Sequence, residues 1–164
     1  MVWVSWPEPD SVEECDRDAD VVWWQYQHAH AEVTRAVEAE LLAFHQLSLA
    51  SFEVLTWLAR APGQRMRMTE LAHSTRLSTS GITRVTDRLR QLGLLTKDRV
   101  PEDRRGFAAT LTERGQQILE NASVTHRAAT ERHFLSRLDE ADLRKLWRIS
   151  QRLRGGILQN SLRT

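Results

Sequence analysis

The chain of 164 residues contains one cysteine, Cys15, which excludes an intrachain disulfide and any cysteine-rich zinc module and suits a reducing compartment. No apolar run approaches the ~20 residues that a membrane helix requires, so no membrane partner is expected. The opening stretch, Met1 to Pro7, carries Trp3 and Trp6 but no basic segment followed by an apolar one. No secretory signal is therefore readable, and a cytoplasmic location is the expectation. There are only seven glycines, and none gathers into a phosphate-binding loop. A nucleophile elbow and metal-ligand spacings are likewise missing. A hydrolase, the alternative that six histidines and many Ser and Asp bring to mind, finds no local support. No enzyme, cofactor or metal is expected.

Net charge is also nearly absent, at +1, but the sum hides a segregation. Residues 1–40 hold ten acids against Arg17 and Arg35, a balance of −8, whereas residues 60–114 hold twelve Lys and Arg against six acids, a balance of +6. Such asymmetry points to one region that meets a polyanion and another that does not.

Residues 1–19 are acidic and aperiodic, and read as a flexible arm. From Asp20 the apolar residues Val22, Tyr26, Ala29, Val33, Val37, Leu41 and Phe44 recur at helical spacing, predicting a helix of about seven turns. A stripe this long in so short a chain requires a partner of similar length. Ser48 can cap a second helix that buries Phe52, Val54, Leu55 and Leu58 and stops at Pro62-Gly63. A basic connector, Gln64 to Arg67, leads to a short helix around Thr69 to Ser74, with Leu71 and Ala72 inward. Ser78 caps a helix from Thr79 to Leu92 with Ile82, Val85, Leu89 and Leu92 as its buried face, and Gly93 occupies the left-handed position that ends it. Two short helices joined by a tight turn form a helix-turn-helix.

Leu94 to Arg99 and Phe107 to Thr112 then read as two strands around a loop, a β-hairpin wing. Thr112 caps a further helix through Ile118, Leu119 and Ala122 toward Phe134, Leu135 and Leu138. Asp139 opens a last one, with Leu143, Leu146, Trp147, Ile149 and Leu153 before Gly155-Gly156. The expected fold is mainly α: a winged helix-turn-helix over 49–112, between long terminal helices. Residues 20–48 with 113–158 form a helical dimerisation region, in which Val22, Tyr26, Val33, Leu41, Leu146 and Leu153 are the contact candidates.

The helix capped by Ser78 exposes Thr79, Ser80, Thr83, Arg84 and, one turn on, Arg88. Small hydroxyl residues let a helix N-terminus approach the floor of the major groove, and Gly81 removes a side chain that would hold it away. Arg84 is the preferred base reader, since a guanidinium pairs bidentately with guanine. Arg104 and Arg105 at the wing tip suit a narrow minor groove, and Asp103 can brace them. Arg76, Arg90, Lys97 and Arg99 are candidates for phosphate contacts that position without specifying. The partner expected is double-stranded DNA. The runner-up is a winged-helix adaptor that holds another protein without specific DNA binding, which would need an apolar recognition face rather than this polar, basic one.

The run Met68-Thr69-Glu70-Leu71-Ala72, then Leu77 to Arg84, Asp87-Arg88-Leu89 and Gly93-Leu94-Leu95, resembles the helix-turn-helix of the MarR family of bacterial transcription regulators. Pro101-Glu102-Asp103-Arg104-Arg105-Gly106 followed by Leu111-Thr112 and Gly115 is similar to that family's wing signature, and the likeness runs from about residue 20 to 155. The resemblance implies a ligand-responsive repressor that binds a palindromic operator as a homodimer. Arg105 would enter the minor groove and Asp103 would brace it. It also implies a site for a small aromatic ligand beneath the DNA-binding lobe, for which Trp24, His28, His45 and Trp57 are candidates. Some relatives sense oxidants through a thiol in the first long helix. Cys15 falls upstream of that position, among Glu13, Glu14, Asp16 and Asp18, which disfavour the reactive thiolate. His28 and His30, two apart on a helix, point to different faces and cannot share a metal.

Overall fold

The computed structural model describes residues 19–100 and 103–161, with side chains over 20–100 and 106–155. The acidic arm with Cys15 and the Pro101-Glu102 pair of the expected loop lie outside the described residues, as do the side chains of Asp103, Arg104 and Arg105. Six helices and one small sheet are arranged as α1 (Ala19–His45), α2 (Leu49–Arg60), β1 (Arg65–Arg67), α3 (Met68–Thr75), α4 (Thr79–Gln91), β2 (Leu95–Val100), β3 (Asp103–Leu111), α5 (Glu113–His133) and α6 (Glu140–Ser161).

Polar caps set the helix starts. Ser48 Oγ accepts from Ser51 N at 3.1 Å, Ser78 Oγ from Gly81 N at 3.1 Å, Thr112 Oγ1 from Gly115 N at 3.0 Å and an Asp139 carboxylate oxygen from Asp142 N at 2.7 Å. Each satisfies an amide that the helix itself leaves without a partner. Gly93, with φ 72°, ends the recognition unit in the left-handed conformation that glycine tolerates best.

The core gathers under the helix-turn-helix. Phe52, Val54, Leu55 and Leu58 of α2 pack with Leu71, Ile82 and Leu89, with Leu94 and Leu95, and with Leu119 and Ala122 of α5. α1 lies along α5 and is tied to it by polar contacts. His45 Nε2 bonds Thr125 Oγ1 at 2.7 Å, and one Glu40 oxygen meets both Arg132 and His133 at 2.7 Å. Accepting from His133, with Arg132 beside it, holds the Glu40 carboxyl below its usual range.

Several expectations need correction. The basic connector is not irregular: Arg65–Arg67 is an edge strand, pairing Met66 with Ala109 in a sheet of order β1-β3-β2. Its three residues acquire strand geometry from tertiary pairing, which no local pattern of that length signals. β3 begins at Asp103, earlier than expected, with an irregularity in the ladder at Arg99/Val100. Leu92 lies past the end of α4 and is exposed; Thr86, fully buried, takes the place in the helical stripe between Ile82 and Leu89. Its hydroxyl donates to Ile82 O at 2.8 Å, so burial leaves no polar atom without a partner. α6 continues through Gly155-Gly156 to Ser161, because glycine in a helix costs about 1 kcal/mol relative to Ala but does not forbid it.

The apolar stripe of α1 divides. Val37 and Leu41 are buried in the protomer's own core and Val33 is half-buried, whereas Val22, Tyr26 and Phe44 are exposed. Leu41 is thus a core residue rather than a contact candidate. α6 makes little contact with the rest of the described chain, and Trp147, Ile149 and Leu153 stand exposed along it, with Leu146 half-buried.

Candidate nucleic-acid interface

The amphipathicity of α4 follows from its spacing. Ile82, Thr86 and Leu89 turn inward, and Thr79, Ser80, Thr83, Arg84 and Arg88 are all exposed, with Ser78 at the N-cap. Inward residues at i, i+4 and i+7 leave the others on one outward strip. Thr83 Oγ1 donates to Thr79 O at 2.9 Å, and Ser80 Oγ is 3.1 Å from Ser78 Oγ, so two hydroxyls are already held at the helix start. Arg84 and Arg88 have no ion-pair partner among the described residues. A Cβ on Gly81 would sit 3.2 Å from Ser78 Oγ and 3.6 Å from Leu77 Cβ. The glycine therefore makes room for the cap and the turn, a different reason from clearance of an outside surface.

β2 and β3 project beside this helix. Arg99 is exposed, its guanidinium carbon 5.7 Å from the Phe107 ring centroid, within cation–π range. One of the expected phosphate contacts is otherwise engaged: Lys97 pairs with Asp87 at 3.3 Å and its side chain is only 16% exposed. Arg76 is exposed and lines a cleft that reaches the end of α3. Arg76 has φ 57°, the left-handed conformation at the end of α3. Arg90 is exposed in the last turn of α4.

The cleft, about 580 Å³, lies between α2 and α5 and reaches the end of α3. Phe52, Trp57 and His126 supply aromatic wall, and Arg60, Arg76 and Arg127 supply cations. His126 stacks on Phe52 with centroids 4.5 Å apart and planes 15° apart, and burial pushes its imidazole pKa down. Of the four candidate ligand residues only Trp57 lines this cleft. Trp24 and His28 pack on each other at 4.0 Å along α1, and His45 is bonded to Thr125. Arg60, His126 and Arg127 escaped the sequence reading because α2 and α5 converge only in the folded chain. Among the described residues no group of three or more His, Cys, Asp or Glu is arranged to hold a metal, and no single helix is long and apolar enough to cross a membrane.

A cap-stabilised helix with a polar, cationic outer strip, beside a three-stranded sheet ending in a hairpin, defines a winged helix-turn-helix protein. A family model described as "MarR family" matches residues 45–106, the span from the end of α1 into the wing. The solved structure of Sco3205, a MarR family transcriptional regulator from Streptomyces coelicolor in complex with DNA, is 26% identical, with a TM-score of 0.78 over 92% of this chain and 91% of that one. AbsC, a MarR family transcriptional regulator from the same organism, is 29% identical, with a TM-score of 0.74 over 94% and 99%. Residues 45–106 thus match the MarR family, and the chain shares the fold of solved MarR family transcriptional regulators. BpsR of Bordetella bronchiseptica, whose DNA binding is regulated by 6-hydroxynicotinic acid, shares the fold at 18% identity and a TM-score of 0.71 over 91% and 96%. No curated protein sequence matches the chain.

Proposed function

We propose that the chain is a homodimeric, cytoplasmic repressor that binds a palindromic operator, with α4 in the major groove, the wing in the adjacent minor groove, and a small ligand that releases the DNA. The observation that carries this reading is the outer strip of α4: hydroxyls and exposed guanidiniums on one side, a fully apolar or internally bonded side against the core. An adaptor surface would present apolar groups there. Contacts by Arg84 and Arg88 combine base reading with charge neutralisation, while Arg99, Arg104 and Arg105 act from the wing, with Asp103 as brace. The likeness to Sco3205, solved in complex with DNA, supports DNA as the partner.

Dimerisation is supported by the apolar groups that the protomer leaves uncovered on α1 and α6, Val22, Tyr26 and Leu153 among them, together with Trp147. Burial of such a surface against a second copy removes it from water, and a two-fold dimer matches a two-fold site. For the ligand, the cleft offers ring-stacking surface at Trp57 and His126 with guanidiniums nearby, a fit for an aromatic acid. Arg76 links that cleft to the turn that precedes Ser78, so occupancy there bears on the start of α4.

Selection from random duplexes tests the reading. A palindrome with half-sites about one helical turn apart should be enriched. An unenriched pool would remove the regulator reading in favour of the adaptor.

A further inference from the structure

Successive side chains of β2 alternate between the two faces of the sheet. Thr96 and Asp98 share one face, where Thr96 Oγ1 donates to Asp98 Oδ2 at 3.2 Å. Lys97 and Arg99 share the other. The register sets Arg99 opposite Phe107 and Lys97 opposite Ala109, so the Phe107 ring stands on the same face as both cations. Lys97 Nζ lies 5.6 Å from the ring centroid and Arg99 Cζ 5.7 Å. Lys97 also donates to Asp87 Oδ1 at 3.3 Å, and Asp87 belongs to α4, one turn beyond Thr83 and Arg84. One ammonium therefore contacts a carboxylate of the recognition helix and an aromatic ring of the wing.

Three consequences follow. The Asp87 charge, which would otherwise repel phosphates from the helix that approaches them, is neutralised. Lys97, mostly buried, is withdrawn from solvent and from DNA. The Arg99 guanidinium is held against a ring, so less side-chain freedom is lost when it meets a phosphate.

We propose that Asp87, Lys97 and Phe107 are positioning residues that fix the wing against the recognition helix and hold Arg99 ready, so that both DNA-contacting elements engage together. This rests on the DNA-binding reading above, and none of the three needs to touch DNA.

The test uses the full chain with Phe107→Leu, Phe107→Tyr, Lys97→Met and the swapped pair Asp87→Lys with Lys97→Asp. Amide hydrogen exchange is measured on the free protein, and affinity on the selected duplex. Phe107→Leu and Lys97→Met should speed exchange in β2 and β3 severalfold while amides of the inner face of α4 stay protected, and should weaken duplex binding about fivefold. Phe107→Tyr, which keeps the ring, should match wild type, and the swapped pair should recover part of what either single change loses. Unchanged exchange in both loosening variants would overturn the clamp, whatever the protein does with DNA. Faster exchange with wild-type affinity would overturn the positioning role. If wild type binds no duplex, the regulator reading falls and the positioning role with it, while the exchange result still decides whether the contact fastens the wing.

Discussion

Replacing Gly115 by alanine should unfold this protein at a temperature well below wild type, although the change is helix-favouring on propensity alone. Gly115 lies in the first turn of α5, buried against the end of the recognition unit. A Cβ there would sit 2.0 Å from the carbonyl oxygen of Leu94 and 2.9 Å from its carbonyl carbon, with Leu111 Cδ1 at 2.8 Å. The nearest obstacle is backbone, which no rotamer change can move. That carbonyl also accepts from Thr112 N at 3.1 Å, and Thr112 Oγ1 donates to Gly93 O at 2.8 Å. Relief of the overlap therefore means parting α5 from the Gly93-Leu94 segment and losing at least one of these bonds. Overpacking of this kind costs typically ~1–3 kcal/mol, and a lost hydrogen bond adds about 1 kcal/mol. Alanine's propensity returns at most about 1 kcal/mol, leaving a net loss of roughly 1–3 kcal/mol. For a chain of this size that lowers Tm by about 2–12 °C. Thermal unfolding followed by circular dichroism measures it, with Gly155→Ala as control, because a Cβ at Gly155 meets nothing within 4 Å. Equal Tm values for wild type and Gly115→Ala would refute the steric argument, and a destabilised Gly155→Ala would show that the scale is wrong.

Further outcomes follow from other contacts. Ser78→Ala should cost about 1 kcal/mol through the lost cap and weaken DNA binding as the start of α4 frays, measurable by denaturant titration and by duplex affinity. Leu41→Glu places a charge at a fully buried site and should abolish cooperative unfolding, whereas Leu153→Glu should leave a folded chain whose sedimentation shifts from dimer to monomer. Burial holds the folded pKa of His126 below the ordinary imidazole value, so the unfolded chain binds the proton more readily. Its effect on stability is therefore absent above that value and becomes a loss as pH falls below it, and His126→Phe should flatten the decline that sets in below about pH 6.5 in pH-dependent melts.

The legible parts of the fold were those with a local chemical cause. Ser48, Ser78, Thr112 and Asp139 announced helix starts because each offers an oxygen to amides that must find one. Gly93 announced a stop because the left-handed turn there favours glycine. Gly155-Gly156 misled because glycine permits an end without requiring it. β1 was illegible because three residues carry no period and gain strand character from β3. Thr86 is not legible as an inward residue, and Leu92 reads as one, because apolar character alone does not reveal the hydroxyl's route to Ile82 O. The outer strip of α4 was readable as the complement of a buried stripe, so Arg84 and Arg88 stand where spacing placed them. The cleft was not readable, since Trp57, His126 and Arg76 come from three elements far apart in the chain. Lys97 illustrates the same limit: its charge suggested a phosphate contact, and only the fold reveals Asp87 and Phe107 beside it.

The central claim, that α4 reads bases while the wing adds affinity, is tested most directly by measuring duplex affinity for wild type, Arg84→Ala and Arg105→Ala on the selected site and on every single-base variant of it. Arg84→Ala should cost about 1–3 kcal/mol and relax preference at one symmetry-related pair of positions, while Arg105→Ala should weaken binding without disturbing those positions and with the dimer intact. An Arg84→Ala profile identical to wild type, in affinity and in preference at every position, would contradict the account.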